Sequence, residues 1–150
     1  MKKALLVIDM QEDYIEKYSY SLLTCINERI RMAVANKEII VYVKNTKRLR
    51  SGNKTSELAK NLIILSKHAI CKESASAFSN PQLEEILEQN QIEEIEIVGV
   101  DGNSCIAGTA MDAIKLGYKT LLQLKYIGVQ NSERFGKTKE SLLEKGVIIV

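Results

Sequence analysis

Short apolar runs alternate with amphipathic stretches along the whole of this chain, and that alternation limits its fold more than any other feature. The runs Ala4–Ile8, Ile39–Val43, Ala69–Cys71, Ile95–Val100, Thr120–Leu124 and Val147–Val150 are rich in Val, Ile and Leu. Runs apolar at nearly every position suit strands buried on both faces, which parallel sheets require. Between them the spacing predicts helices over about Tyr20–Ala35, Lys54–Ser66, Pro81–Gln89, Ser104–Leu116 and Glu133–Glu144. Strands and helices taking turns in this way predict an α/β protein: a Rossmann-like three-layer α/β/α sandwich around a central, mostly parallel sheet of about six strands. Local signals agree. Pro81 suits the first turn of a helix that Asn80 can cap, and Gly117 suits the end of one.

At 150 residues the chain suits a single domain spanning 1–150. Its 45% hydrophobic and 27% charged residues are the composition of a folded protein. A net charge of +2 gives no electrostatic reason to expect nucleic acid or an anionic membrane as partner. The one basic cluster, Lys44, Lys47, Arg48, Arg50 and Lys54, contains no aromatic residue for base stacking and reads as a solvated loop. It would face an anionic substrate only if it bordered the active site. No apolar stretch approaches the ~18 residues of a membrane span, and Ala4–Ile8 is too short for a signal-peptide core. Cys25, Cys71 and Cys105 form an odd set without CxxC spacing, which argues against disulfides or a zinc site and for a reducing cytoplasm.

In open parallel sheets ligands gather at the carboxyl ends of the strands. Three residues with chemistry to offer follow strands directly: Asp9, Lys72 and, one turn after Ile95–Val100, Cys105. Cys105 stands at a helix start, where the dipole and free amides favour a thiolate and offer room for an oxyanion. Its ordinary alternative is a small buried packing residue, the role expected of Cys25 and Cys71. Asp9 suits a general base, with turn capping as its alternative; Lys72 suits a cation that lowers the thiol pKa. His68, the only histidine, precedes a strand, and GxGxxG, Walker and HExxH motifs are absent.

Three blocks of sequence carry a resemblance. Ala4-Leu-Leu-Val-Ile-Asp9-Met-Gln-Glu-Asp13-Tyr14, Lys72-Glu-Ser-Ala-Ser-Ala-Phe78, and Val98-Gly-Val-Asp-Gly-Asn-Ser-Cys105-Ile-Ala-Gly-Thr-Ala110 running on to Gly117-Tyr118 follow in family order. They resemble the isochorismatase-like cysteine hydrolases, the superfamily of nicotinamidases and N-carbamoylsarcosine amidohydrolases. The resemblance implies the isochorismatase-like fold and a catalytic triad of Asp9, Lys72 and Cys105. It implies an oxyanion hole from the amides of Cys105 and Asp101, with the Val100–Asp101 peptide cis, and pocket positions at Gln11, Asp13, Tyr14, Phe78 and Gly102.

The chain also departs from that pattern. Gly102 and Asn103 stand where many members carry a threonine and an acidic residue. Nicotinamidases carry an Asp-x-His metal motif after the second strand, where this chain reads Tyr42-Val-Lys-Asn-Thr-Lys-Arg-Leu-Arg50. The expectation is therefore a cysteine hydrolase that uses neither metal nor cofactor. It would cleave a C–N bond of a small amide, carbamoyl or ureido compound through a thioester. A non-catalytic binding or assembly module on the same fold, or a thiol-based redox or detoxification protein, are the alternatives. Its partners would be a small-molecule substrate and further copies of itself, since homo-oligomers are common among resembling proteins.

Overall fold

The structure is a computed structural model, and it describes residues 1–47 and 57–150. Among these residues seven strands form one sheet, every pairing between named strands being parallel: β1 (Lys3–Ile8), β2 (Ile39–Asn45), β3 (His68–Lys72), β4 (Glu94–Val100), β5 (Lys119–Leu122), β6 (Ile127–Gly128) and β7 (Ile148–Ile149). They lie in the order β3-β2-β1-β4-β5-β7, and the two-residue β6 pairs with β4 beyond the point where β5 leaves it. The helices are α1 (Glu12–Ile15), α2 (Tyr20–Ala35), α3 (Gln82–Gln89), α4 (Cys105–Lys115) and α5 (Ser132–Glu144).

Side-chain alternation along the strands builds two cores. Ala4, Leu6, Ile8, Val41, Val43, Ile95 and Ile97 pack against residues of α3, α4 and α5. Their neighbours Leu5, Val7, Ile40, Tyr42, Val98 and Val100 pack against Leu22, Ile26, Ile30 and Ala33 of α2. The three-layer α/β/α sandwich is thus present, with seven strands where about six were expected. Glu96, fully buried within β4, is held on the α2 side by Arg29 at 2.9 Å and Lys3 at 3.0 Å. Removing one partner from such a buried pair costs about 3–5 kcal/mol, so α2 is fastened to the sheet by charge as well as by apolar contact.

The expected helix over Lys54–Ser66 needs correction. Its first three residues lie outside the described ones, as do Arg48 and Arg50 of the basic cluster, and 57–66 is not helical. There the backbone finds other partners. The Ala59 amide bonds the Met10 carbonyl, Asn27 bonds Asn61 and Ile63, and the Tyr42 hydroxyl bonds Ile63 and Leu65. Ala59 and Leu62 are buried against the α2 core, so the helix-like apolar spacing serves an irregular segment instead. No helix of the described residues is long and apolar enough to cross a membrane.

Gly99 marks where the sheet admits no side chain. Its φ is +122°, and a Cβ built on it would overlap the backbone carbonyl of Ile8, its neighbour across the β1–β4 ladder. Gly99→Ala is expected to destabilise the fold by roughly 3 kcal/mol or more. At this chain length that lowers the melting temperature by about 6–12 °C. An unchanged melting curve would contradict the close approach.

Candidate active site

The carboxyl ends of β1, β3 and β4 bring Asp9, Lys72 and Cys105 together. Asp9 leaves β1 in a left-handed conformation (φ +53°), one that Asp tolerates better than most residues, and its amide bonds the Val43 carbonyl at 2.9 Å. Lys72 ends β3, opposite Asn45 at the end of β2. Both side chains are buried. An ammonium carries three protons, and all three of Lys72's are spent: on Asp9 Oδ2 (3.2 Å), Cys105 Sγ (3.3 Å) and the Ser74 carbonyl (3.1 Å). The other Asp9 oxygen, Oδ1, is buried with no hydrogen-bond partner among the described residues.

The turn that carries Cys105 is held by its own backbone. The Val100–Asp101 peptide is cis. The Gly102 amide bonds the Gly128 carbonyl, the Asn103 amide bonds Asp101 Oδ1, and the Ser104 and Ile106 amides both bond the Asp101 carbonyl. Among the described residues the amides of Asp101 and Cys105 donate to nothing, so the two donors that the resemblance implies for an oxyanion are the ones this turn leaves over. Helix α4 is docked behind them. The Thr109 hydroxyl accepts from the Ala77 amide (3.0 Å), and a Cβ on Gly108 would touch Ala75 and Ser76, so α4 lies close to the loop that follows Lys72.

Electrostatics corrects one expectation. Helix start and lysine were expected to favour a Cys105 thiolate, yet the thiol is pushed up to about 11. Burial contributes most, the Asp9 charge adds to it, and Lys72 offsets only part. Burial likewise raises the Asp9 carboxyl above its ordinary range, against the pull of Lys72. At neutral pH Cys105 therefore rests as a thiol, beside a carboxyl that burial makes harder to ionise than usual.

A cleft of about 240 Å³ opens over these groups, lined by Asp9, Tyr14, Lys17, Tyr18, Asn45, Asp101, Ser104, Cys105 and Gln130, with Val100. Of the five expected pocket positions only Tyr14 is among its lining residues. Gln11 is fully buried, and its side-chain amide pairs with the Asn45 backbone in both directions (2.8 and 3.0 Å), extending β2 as a strand partner would. Phe78 packs on Tyr118 and the core. Gly102 is buried where a Cβ would meet Val129 and Phe135, which accounts for glycine in place of threonine. Asp13, in the first turn of α1, is not among the lining residues. Sequence reasoning missed Lys17, Tyr18, Asn45, Ser104 and Gln130; the four-residue spacing from Tyr14 to Tyr18 was the one available signal. Cys25 packs beside the α2 core as expected, but Cys71 is exposed on β3, one residue before Lys72, so the packing role expected of it needs correction.

Asp9, Asp101 and Cys105 all line the cleft, and the Asp9 carboxylate is paired with the Lys72 ammonium. Among the described residues no group of three or more His, Cys, Asp and Glu side chains is placed to hold a metal ion, and His68 begins β3 at the far end from Lys72.

Alkylation of Cys105 by iodoacetamide, read across pH by peptide mass spectrometry, is expected to show an apparent pKa near 11. Asp9→Asn removes an effect that raises the thiol and is expected to lower that value. Lys72→Met removes one that lowers it and is expected to raise the value further. A wild-type value below the ~8.5 of a free thiol would contradict this electrostatic reading.

Comparison with known proteins bears on the fold and the lineage. The Isochorismatase domain family matches residues 3–123. The nicotinamidase of Saccharomyces cerevisiae is 33% identical over 75 residues, which is 49% of this chain and 35% of that protein, so the match spans about a third of the relative's length. Among solved structures, the zinc complex of pyrazinamidase from Pyrococcus horikoshii superposes with a TM-score of 0.80 at 24% identity over 100% of this chain and 99% of that one. N-carbamoylsarcosine amidase from Thermoplasma acidophilum gives 0.85 at 19% identity over 99% and 95%. A pyrazinamidase/nicotinamidase from Streptococcus mutans gives 0.85 at 20% identity over 99% and 100%. These structures share the fold, and the domain match across most of the sequence assigns the lineage: the chain belongs to the isochorismatase family.

Proposed function

We propose that this chain is a metal-independent cysteine hydrolase that cleaves the C–N bond of a small amide, carbamoyl or ureido compound. One observation carries the reading: a buried ammonium, Lys72, bonds both a carboxylate and a thiol, while the nearby amides of Asp101 and Cys105 stay unspent. The family membership and the relatives named above supply the precedent for hydrolysis at such a site.

The chemistry follows from the geometry. Asp9 takes the proton of the Cys105 thiol as the sulfur attacks the substrate's carbonyl carbon. The electron pair displaced onto oxygen is met by the amides of Cys105 and Asp101. When the tetrahedral intermediate collapses, the C–N bond breaks and Asp9 hands its proton to the departing nitrogen, leaving a thioester on Cys105. Asp9 then takes a proton from water, whose oxygen attacks the thioester, and the proton returns to the sulfur as the acid leaves. Throughout, Lys72 stays charged and offsets negative charge as it moves between carboxylate and sulfur. A cleft of about 240 Å³ suits only a small acyl or carbamoyl group.

The test is ammonia or amine release from a panel of small amides and ureido compounds. Turnover is expected in the wild type, a loss of 10³-fold or more in Cys105→Ala, and no change after exhaustive chelation. Activity should rise with pH as the raised Asp9 carboxyl loses its proton, at a higher pH than an ordinary carboxyl would. Turnover that survives Cys105→Ala would refute the nucleophile, and loss on chelation restored by zinc would refute metal independence.

A further inference from the structure

Asp101 is fixed more heavily than its place at the end of a strand requires. Its carbonyl accepts from the amides of Ser104 and Ile106, both at 3.1 Å. Its carboxylate accepts from the Asn103 amide (2.8 Å), the Gln130 amide (3.0 Å) and the Tyr18 hydroxyl (3.0 Å). Four of these donors are backbone amides in the Cys105 turn or the stretch after β6. The fifth is a side chain from between α1 and α2, eighty-three residues away in sequence. Gly128 makes room for it, since a Cβ there would stand 2.7 Å from the Tyr18 ring. With carbonyl and carboxylate both engaged, the amide is the one polar group of Asp101 left to act, and Tyr18 and Asp101 line the same cleft wall.

That arrangement resolves an electrostatic problem. A carboxylate on the residue that offers an oxyanion donor would repel the charge developing there unless its own charge were spread over donors and turned away. Two backbone amides and the Tyr18 hydroxyl do this. We propose that Tyr18 is a positioning residue, which through its bond to the Asp101 carboxylate aims the Asp101 amide at the oxyanion and keeps the carboxylate from opposing it. The proposal rests on the hydrolase reading above.

Two probes of Cys105 separate this role from simple packing. Acetaldehyde adds reversibly to the thiol: the S–C bond forms, the carbonyl pair moves to oxygen, and the thiol proton passes by way of Asp9 to that oxygen, with nothing oxidised or reduced. The adduct oxygen occupies the oxyanion position. Methyl methanethiosulfonate instead transfers its methylthio group to the sulfur, releasing methanesulfinate, and no oxyanion forms. Acetaldehyde affinity is read as protection of Cys105 against methyl methanethiosulfonate. Tyr18→Phe, which keeps the ring, is expected to weaken acetaldehyde about tenfold, less than the 10²–10³ of losing an oxyanion donor outright. Its unprotected rate with methyl methanethiosulfonate should stay within twofold of wild type. Unchanged acetaldehyde affinity overturns the proposal, and so does an equal loss in both probes, which marks Tyr18 as packing. A wild-type Cys105 that reacts with methyl methanethiosulfonate yet binds no acetaldehyde overturns the hydrolase reading and this proposal together.

Discussion

The Lys72 ammonium is the interaction on which this site depends. It ends an edge strand of the sheet, is buried, and holds Asp9 and Cys105 from two other strand ends. Without it the Asp9 carboxylate would be a buried charge with no counter-ion, a state proteins avoid by taking up a proton. A protonated Asp9 could not accept the thiol proton. The lysine therefore works against the burial that makes the Asp9 carboxyl harder to ionise, and offsets part of it. The thiol's own shift agrees, since the effect of Lys72 on it is outweighed by burial and by Asp9.

The rest of the fold presents those three ends at one level. Parallel pairing places the ends of β1, β2, β3 and β4 side by side, with Ile8 between Val43 and Gly99, and Lys72 beside Asn45. Gly99 lets β4 approach β1 closely just below the site, and Gln11 continues the β2 pairing past the end of β1. Two charged groups buried in the sheet, Glu96 and Lys72, thus serve different ends. Glu96 meets Arg29 and Lys3, with Gln123 also bonded to it, and fastens a helix; Lys72 meets a base and a thiol.

Much of this was legible in the sequence, for identifiable reasons. Six strands were found because doubly buried strands read as continuous apolar runs, and Tyr20–Ala35 because its apolar residues repeat at helical spacing. Asp9, Lys72 and Cys105 were found because each stands directly after a strand or at a helix start. What was not legible depends on contacts distant in sequence. Residues 57–66 have helix-like spacing, but Asn27 and Tyr42 take their backbone groups, and no local pattern records that. The two-residue β6 is too short to signal itself. Gln11 looked like a pocket residue and is a backbone bridge; Tyr18 carried no motif and binds Asp101. In both, the side chain's role is set by a partner over thirty residues away.

The central claim is that Cys105 carries the acyl group of a small amide while Asp9 shuttles the proton. The most direct measurement is acid quench during turnover of the best amide, followed by intact-mass and peptide mass spectrometry. The account predicts an adduct of the acyl mass on Cys105 alone, sensitive to hydroxylamine, and absent in Cys105→Ala. Turnover with no adduct at any quench time, or an adduct on another residue, would contradict it.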